Sequence, residues 1–207
     1  MKKKPIILTD VDGVLVAWQS NLIFFAAEHN LPTEKIAEVL VTEEYVQPHE
    51  LFNCSKAVGV EIMKMYNKSK WIRGLKPYTD ALLQINSLKS KYDFVAVTAL
   101  GKDFESSMNR MSNLNVLFPN AFKEVMICNH DESKIPLLKD AKARYGDKIM
   151  AFVDDRYDHC EDAEIVFGDF EDFTVYHMAR TPIRLNNEYP RDRIKMVEDW
   201  NDIAEVL

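Results

Sequence analysis

The sequence predicts an α/β fold built on a doubly wound parallel sheet, with a small helical cap inserted after the first strand. Four apolar runs of strand length support this prediction, at residues 5–9, 94–98, 125–128 and 149–153. Each run is nearly continuous rather than alternating, which is typical of parallel strands covered on both faces. Helical patterns lie between the strands, and such an alternation of strand and helix is what a doubly wound sheet requires.

The remaining elements of the predicted core follow from the spacing of apolar residues. Residues 79–89 and 135–145 repeat apolar side chains at helical intervals, and Gly146 directly after the second stretch is a common helix end. A weaker strand at 173–177 extends the sheet. We predict a terminal helix over residues 197–207.

The stretch 20–73 interrupts this alternation of strands and helices. It contains no convincing strand, and its apolar residues recur at helical intervals, for example at Ile36 and Val39. Prolines divide it into short segments. We therefore divide the chain into an α/β core domain of residues 1–19 and 74–207 and a helical cap of residues 20–73.

Composition limits the classes of protein to which the chain can belong. The net charge of −7 disfavours a nucleic-acid partner, because phosphate backbones are bound by clustered Lys and Arg. Three widely separated cysteines suggest free thiols in a reducing compartment. Only four apolar residues precede the first acidic motif, and no window approaches the roughly 18 apolar residues of a membrane span. We predict a cytoplasmic protein without a membrane partner.

The motif DVDGVL begins where the first predicted strand ends, and it places Asp10 and Asp12 two residues apart. Side chains at i and i+2 of a strand face the same way, so the two carboxylates share one small volume. They repel each other unless a cation or a proton lies between them. A calcium-binding loop is excluded, because later ligand positions would fall on Val14, Val16 and Asn21. The pair therefore indicates a metal-dependent carboxylate site.

Ligands of open α/β sheets bind outside the carboxyl ends of the strands, so the residues that follow the four strands are expected to form one site. These residues are Asp10, Asp12, Thr98, the stretch 129–134, Asp154 and Asp155. Among them are the two pairs of aspartates, the hydroxyl of Thr98 and Lys134. Because hard cations take oxygen ligands, the set predicts a Mg²⁺ site.

At these residues the sequence resembles the haloacid dehalogenase (HAD) superfamily of phosphatases. Four motifs occur in order, each after a predicted strand: DVDGVL, Thr98 in FVAVTAL, Lys134 in HDESKIPLL, and Asp154 and Asp155 in AFVDDRYD. The resemblance implies a HAD-type, Rossmann-like core and a phosphatase that forms an aspartyl-phosphate. Lys139 is an alternative third-motif lysine, but Lys134 is nearer the strand end.

The resemblance also implies roles for the residues that act on the substrate. Asp10 is the nucleophile, and Asp12 is the general acid and base. Thr98 hydrogen-bonds a phosphoryl oxygen, and the adjacent Ala99 is counted with the substrate-binding residues. Lys134 offsets the negative charge of Asp10 and of the phosphate.

The metal ligands implied by the resemblance are oxygen atoms of the first and fourth motifs. Mg²⁺ is held by the carboxylates of Asp10 and Asp155 and by the backbone carbonyl of Asp12. Asp154 orients the site or coordinates the metal through water. His130 and His159 flank the site in sequence and are interpreted as incidental polar residues.

The expected substrate is a small phosphate ester. Asp12 argues against the dehalogenase branch, whose reaction expels halide and needs no acid at that position. The strings DVDGVLVAWQSNL and LKPYTDALLQINSLKSKYDFVAVTAL are similar to 5′(3′)-deoxyribonucleotidases, as is DDR in the fourth motif. This similarity implies a nucleoside monophosphate, on whose base Trp18 could stack. A sugar phosphate, a polynucleotide 3′-phosphate end and non-catalytic binding of a phosphate ligand stay open as alternatives, as does the oligomeric state.

Overall fold

A computed structural model of the chain describes residues 4–42, 46–130, 132–180 and 193–207. The strands within these ranges are β1 (Ile6–Thr9), β2 (Val16–Ala17), β3 (Lys76–Pro77), β4 (Asp93–Ala99), β5 (Phe122–Cys128), β6 (Ile149–Asp154), β7 (Thr174–Met178) and β8 (Ile194–Val197). The α-helices are α1 (Leu22–Glu28), α2 (Glu34–Thr42), α3 (Pro48–Leu51), α4 (Lys56–Lys68), α5 (Thr79–Leu88), α6 (Phe104–Leu117), α7 (Ile135–Tyr145), α8 (Tyr157–Phe167) and α9 (Trp200–Val206).

Six of the described strands form one parallel sheet in the order β5-β4-β1-β6-β7-β8. The first strand lies inside the sheet, between β4 and β6, so the strand order reverses direction beside it. Helices α7 and α8 pack on one face of the sheet, and α5, α6 and α9 pack on the other. The predicted doubly wound α/β fold is confirmed.

The continuous apolar runs of the sequence follow from these two covered faces. In β1, Ile6 and Leu8 join the apolar cluster under α7 and α8, whereas Ile7 joins the cluster on the opposite face. All three side chains are at most 1% exposed. Because successive residues of a strand point to opposite faces, a strand buried on both sides must be apolar at every position.

The helical insert leaves and rejoins the core at one place, a two-stranded antiparallel ribbon. Strand β2 precedes the insert and pairs with β3, which follows it, with Val16 opposite Pro77 and Ala17 opposite Lys76. Between the two strands the chain forms α1 to α4 and two short 3₁₀ helices, at Trp18–Asn21 and Lys70–Gly74. The ribbon therefore brings the two connections of the insert side by side.

The apolar side chains of the insert are continuous with the core of the sheet. Phe25 of α1, Ile36 of α2 and Tyr66 of α4 are buried in the same cluster as Ile7. The division into 1–19, 74–207 and 20–73 stays a prediction, and each of the three ranges includes residues outside the described part of the chain.

The predicted helix over 197–207 is wrong at its beginning. Residues Ile194–Val197 form the edge strand β8 beside β7, and the helix α9 begins only at Trp200. The Asp199 carboxylate caps this helix by accepting hydrogen bonds from backbone N–H groups in its first turn. In β8 only the first and last residues are buried, and this spacing of three residues resembles a helical pattern.

Two helices of the core, α6 and α8, were not among the predicted elements. In α6 most of the buried side chains are polar: Ser106, Asn109, Arg110 and Asn113, beside Leu114. Phe104 and Met108 of the same helix are exposed. The usual apolar stripe is therefore missing from the buried side, and a search for hydrophobic periodicity does not detect such a helix.

Among the helices of the described ranges, none combines the length and the apolar character needed to cross a bilayer.

Candidate active site

The predicted site residues of three motifs meet at the carboxyl edge of the parallel sheet. Asp10 follows β1, and its backbone N–H donates a 2.8 Å hydrogen bond to the carbonyl of Val153 in β6. This bond continues the pairing of β1 with β6 beyond the strand end and brings the first motif beside the fourth. Asp10, Asp154 and Asp155 each offer a carboxylate oxygen, and these atoms all lie within 4.8 Å of one another.

Lys134 lies between two of these aspartates. Its Nζ is 2.9 Å from Oδ1 of Asp10 and donates a 2.7 Å hydrogen bond to Oδ2 of Asp154. The side chain is fully buried, at the residue just before α7. Lys139, the alternative third-motif lysine, is exposed on α7. Lys134, and not Lys139, therefore lies at the acidic cluster.

Burial and crowding set the protonation of these groups. Burial raises the pKa of Asp10 to about 7, with support from the charges of Asp154 and Asp155, although Lys134 opposes the shift. Burial acts in the same direction on Asp154, but Lys134 and His159 outweigh it and hold the pKa of Asp154 below its usual value. The two carboxylates likewise overcome the effect of burial on Lys134 and raise its pKa.

The charge and chemistry of the cluster fit a divalent cation. If all three carboxylates were ionised beside one ammonium, two negative charges would be uncompensated in a largely buried site, which is unfavourable without a counterion. The ligands are oxygens, which Mg²⁺ prefers. Within the described residues, the buried hydroxyl of Thr98 has no hydrogen-bond partner and can donate to an anionic oxygen.

Gly13 of the first motif lies so close to Asp155 of the fourth motif that a side chain would not fit there. Gly13 has a φ of +79°, a conformation that side chains disfavour. A Cβ atom at this position would lie 2.3 Å from Oδ2 of Asp155. Any other residue would therefore displace either the loop of the first motif or the Asp155 carboxylate.

The carboxylate of Asp12 has a different environment from the other three. Both of its oxygens accept hydrogen bonds from Nη2 of Arg110 on α6, at 2.6 and 2.5 Å. It does not belong to the group of three clustered acids found in the described residues. Sequence reasoning missed Arg110, because α6 itself was not predicted.

Two further residues support the site: His159, which the sequence analysis wrongly interpreted as an incidental polar residue, and Arg180, which it missed. His159, in the first turn of α8, lies with Nδ1 3.2 Å from Oδ1 of Asp154. Arg180 donates hydrogen bonds to the backbone carbonyls of Gly13 and Val14 and forms an ion pair with Asp80. Arg180 lies just beyond the predicted strand 173–177, so the strand-end rule could have found it.

A cavity of about 550 Å³ separates the acidic cluster from the helical insert. Asp10, Asp12, Asp155 and Ala99 form part of its wall on the side of the sheet. Thr98 and Lys134 lie directly beneath this wall and are fully buried. The insert contributes the side chains of Trp18, Gln19, Val39, Val46, Gln47, Pro48, Leu51, Met63 and Asn67.

Trp18 is held in the cavity wall by two contacts. Its Nε1 donates a 2.9 Å hydrogen bond to Oδ1 of Asn67, and its ring packs edge-on against Tyr66 at 4.9 Å between centroids. The side chain is only partly buried. It therefore combines a fixed orientation with access to the cavity.

Comparison with solved structures identifies the fold. A haloacid dehalogenase-like hydrolase from Streptococcus pneumoniae aligns over 100% of both chains with a TM-score of 0.65 and 16% identity. A Bacillus subtilis protein described as a HAD hydrolase and bound to magnesium aligns over 99% of both chains with a TM-score of 0.65 and 11% identity. An L-2-haloacid dehalogenase from Xanthobacter autotrophicus covers 99% of this chain and 98% of its own, with a TM-score of 0.61 and 12% identity. The chain therefore has the haloacid dehalogenase-like fold.

Sequence comparison gives the family. No family model matches the chain. The uncharacterised 32.4 kDa protein in the Gp30-rIII intergenic region of Enterobacteria phage T4 is 44% identical over 204 residues, which cover 99% of this chain and 70% of the T4 protein. The chain belongs to the same family as this T4 protein.

Proposed function

We propose that the chain is a Mg²⁺-dependent phosphomonoesterase that hydrolyses small phosphate esters, with nucleoside monophosphates as its preferred substrates. The observation that carries the proposal is the cluster of Asp10, Asp154 and Asp155 at the floor of a cavity, with the buried Lys134 between Asp10 and Asp154. A phosphoryl group needs both a nucleophile and positive charge, and this arrangement offers both.

The proposed reaction has two steps. In the first, a carboxylate oxygen of Asp10 attacks phosphorus, the bond to the leaving oxygen breaks, and Asp12 gives that oxygen a proton. In the second, water attacks the aspartyl-phosphate while Asp12 takes its proton, so that inorganic phosphate leaves and Asp10 is restored. Lys134 orients Asp10 and balances its charge, and the hydroxyl of Thr98 is available to a phosphoryl oxygen.

Mg²⁺ would be held by the carboxylates of Asp10 and Asp155 and the backbone carbonyl of Asp12, with Asp154 kept beside Lys134. When bound, the ion supplies electrostatic stabilisation of the charged phosphoryl group. The same charge would relieve the repulsion among the clustered carboxylates.

Ester hydrolysis is favoured over dehalogenation by the same set of residues. The fold is shared with haloacid dehalogenases, so the fold alone does not decide between the two reactions. A halide leaves without a proton and needs no general acid, whereas Asp12 lines the cavity close to the nucleophile. Expulsion of a halide also gives no reason for a third clustered carboxylate.

The cavity favours a substrate with a flat or apolar leaving group. Val39, Leu51 and Met63 line the side formed by the insert, together with the Trp18 ring. The polar side chains that the described insert adds to this wall are carboxamides, which can hydrogen-bond a base. This chemistry suits a leaving group that carries a flat base better than one that presents only hydroxyl groups to the apolar side chains.

Turnover of a substrate panel tests the proposal. With Mg²⁺, purified protein is expected to release phosphate from nucleoside monophosphates faster than from sugar phosphates or a 3′-phosphorylated oligonucleotide, and a chelator is expected to abolish the release. Release from sugar phosphates above that from nucleotides would redirect the substrate assignment. Binding of these ligands without any phosphate release would identify a non-catalytic binder.

Replacing Trp18 with Ala is expected to raise KM for nucleoside monophosphates by about 10-fold, because stacking on a base is worth about 1–3 kcal/mol. The KM for glycerol phosphate, which has no ring, should change much less. Phe24→Ala is the matched control, because Phe24 is 54% exposed and stacks on Trp71 outside the cavity. An equal change of KM for both substrates would show that Trp18 only supports the fold of the insert.

A cytoplasmic location belongs to the same proposal. It is supported by Cys54, Cys128 and Cys160, which are free thiols in the structure.

A further inference from the structure

Arg110 is an unusual residue for the interior of this protein. Its side chain is 0% exposed, and the ion pair with Asp12 uses only Nη2. Within the described residues, Nε and Nη1 have no hydrogen-bond partner. A buried guanidinium with two unused donors is unfavourable, so hydrophobic packing does not explain why an arginine occupies this position. The feature that the arginine does provide is a fixed charged partner for Asp12.

The helix that carries Arg110 is attached to the exit of the insert. The side chain of Asn109 donates hydrogen bonds to the carbonyls of Lys68 and Ser69, at 2.9 and 3.0 Å, and accepts one from Nε of Arg73 at 2.6 Å. Asn113, one turn further on, donates to the carbonyl of Arg73. Asn109 and Arg110 are adjacent in α6, and the first contacts the insert while the second contacts the carboxylate of Asp12. Helix α6 therefore links the position of the insert to that of the Asp12 carboxylate.

Without Arg110, the carboxylate of Asp12 could turn toward the metal cluster instead of the cavity wall. It lies two residues from Asp10, beside a cluster of three acids that fits a cation. A side chain that turned toward this cluster would add a fourth carboxylate to the metal and would leave the wall of the cavity. The contact with Arg110 holds the carboxylate away from that cluster.

We propose that Arg110 is a positioning residue that holds the Asp12 carboxylate at the cavity wall, where it can serve the leaving group, and out of the metal cluster. Asn109, the neighbour of Arg110 in the chain, ties this orientation to the position of the insert. The inference rests on the proposed phosphatase function. It assigns to α6 a role in the departure of the leaving group, and not in attack by Asp10.

The test compares two substrates that differ in their need for a proton. p-Nitrophenyl phosphate loses a stable anion, whereas a nucleoside 5′-monophosphate loses an alkoxide that must be protonated. General acid catalysis is typically worth about 10²- to 10⁴-fold. In Arg110→Met we expect kcat for the nucleotide to fall by about 10²-fold and kcat for p-nitrophenyl phosphate by less than about 10-fold. Arg110→Lys, which keeps the charge, should recover most of the nucleotide activity.

Asn113→Ala is the matched structural control. It removes a partly buried hydrogen bond between α6 and the insert but does not touch Asp12. It should lower the melting temperature while leaving the ratio of the two kcat values unchanged. If Arg110→Met does not fold, Arg110→Gln and Arg110→Lys decide the question by the same ratio.

The outcomes separate this inference from the function on which it rests. A wild-type protein that is inactive on both substrates with Mg²⁺ would overturn the phosphatase and the role of Arg110 together. An active wild type with equal losses on both substrates in the Arg110 variants would overturn the positioning role alone. A larger loss on the nucleotide, with recovery in Arg110→Lys, is the supporting result.

Discussion

Replacing Asp10 with Asn is expected to reduce the hydrolysis of every phosphate ester by at least about 10³-fold, because a carboxamide cannot form the aspartyl-phosphate. Asn has the same shape, so the fold should be kept. Phosphate release from a nucleoside monophosphate and from p-nitrophenyl phosphate measures the effect. Residual activity above about one-tenth of the wild type on either substrate would show that another residue is the nucleophile.

The same substitution is expected to stabilise the folded protein in the presence of a chelator, and the gain should depend on pH. Burial and the neighbouring aspartates raise the pKa of Asp10 to about 7. At low pH the Asp10 carboxyl is protonated in both the folded and the unfolded chain, so it does not change the free energy of unfolding. As the pH rises toward 7, the unfolded chain loses this proton more readily than the folded one, so the folded protein is increasingly destabilised. The destabilisation is complete above about pH 7.

The melting temperature of Asp10→Asn should therefore exceed that of the wild type more at about pH 8 than at about pH 5. Asp172→Asn, at an exposed position, is the control and should show no such trend. Added Mg²⁺ should reduce the difference, because the ion stabilises the ionised wild-type cluster. A gain that is the same at both pH values would contradict the assignment of the raised pKa to Asp10.

Replacing Lys134 with Ala is expected to lower turnover by at least about 10²-fold and the free energy of unfolding by about 3–5 kcal/mol. Both effects have one cause: the substitution leaves Asp10 and Asp154 without the buried ammonium that lies between them. The matched change Lys139→Ala, at an exposed position of α7, should alter the free energy of unfolding by less than about 0.5 kcal/mol.

To check this, kcat and the free energy of unfolding in denaturant are measured for Lys134→Ala and Lys139→Ala and compared with those of the wild type. If Lys134→Ala does not fold, Lys134→Arg keeps the charge and permits the measurement of activity. A larger loss of activity in Lys139→Ala than in Lys134→Ala would reassign the third motif.

The sequence was sufficient to predict five of the six described strands of the parallel sheet and the sheet edge at which the acidic cluster lies. Strands covered on both faces are mostly apolar, and this pattern can be recognised in the sequence alone. The proximity of Asp10 and Asp155 could be predicted because the carboxyl ends of parallel strands lie at one edge of the sheet. Lys134 was preferred over Lys139 for the same reason, and the structure places it between Asp10 and Asp154.

Two of the elements that escaped prediction, α6 and β8, have a burial pattern that departs from the usual one. Helix α6 buries asparagines and an arginine and exposes Phe104, so its sequence lacks the apolar stripe that identifies a helix. Strand β8 is short, lies at the edge of the sheet and is buried only at its two ends. Arg110 could not be placed near Asp12, because 97 residues separate them in the chain and only the packing of α6 joins them.

The antiparallel ribbon of β2 and β3 makes the helical insert exchangeable in principle. Ala17 and Lys76 are direct partners across the ribbon, so a short turn could join the chain there. A replacement segment would have to cover the apolar core that the insert now covers. A foreign segment grafted at this point could give the same nucleophile and lysine a new selectivity. Such a graft would have to supply its own carbonyl acceptors for Asn109. Otherwise α6 would lose the hydrogen bonds that attach it to the present insert.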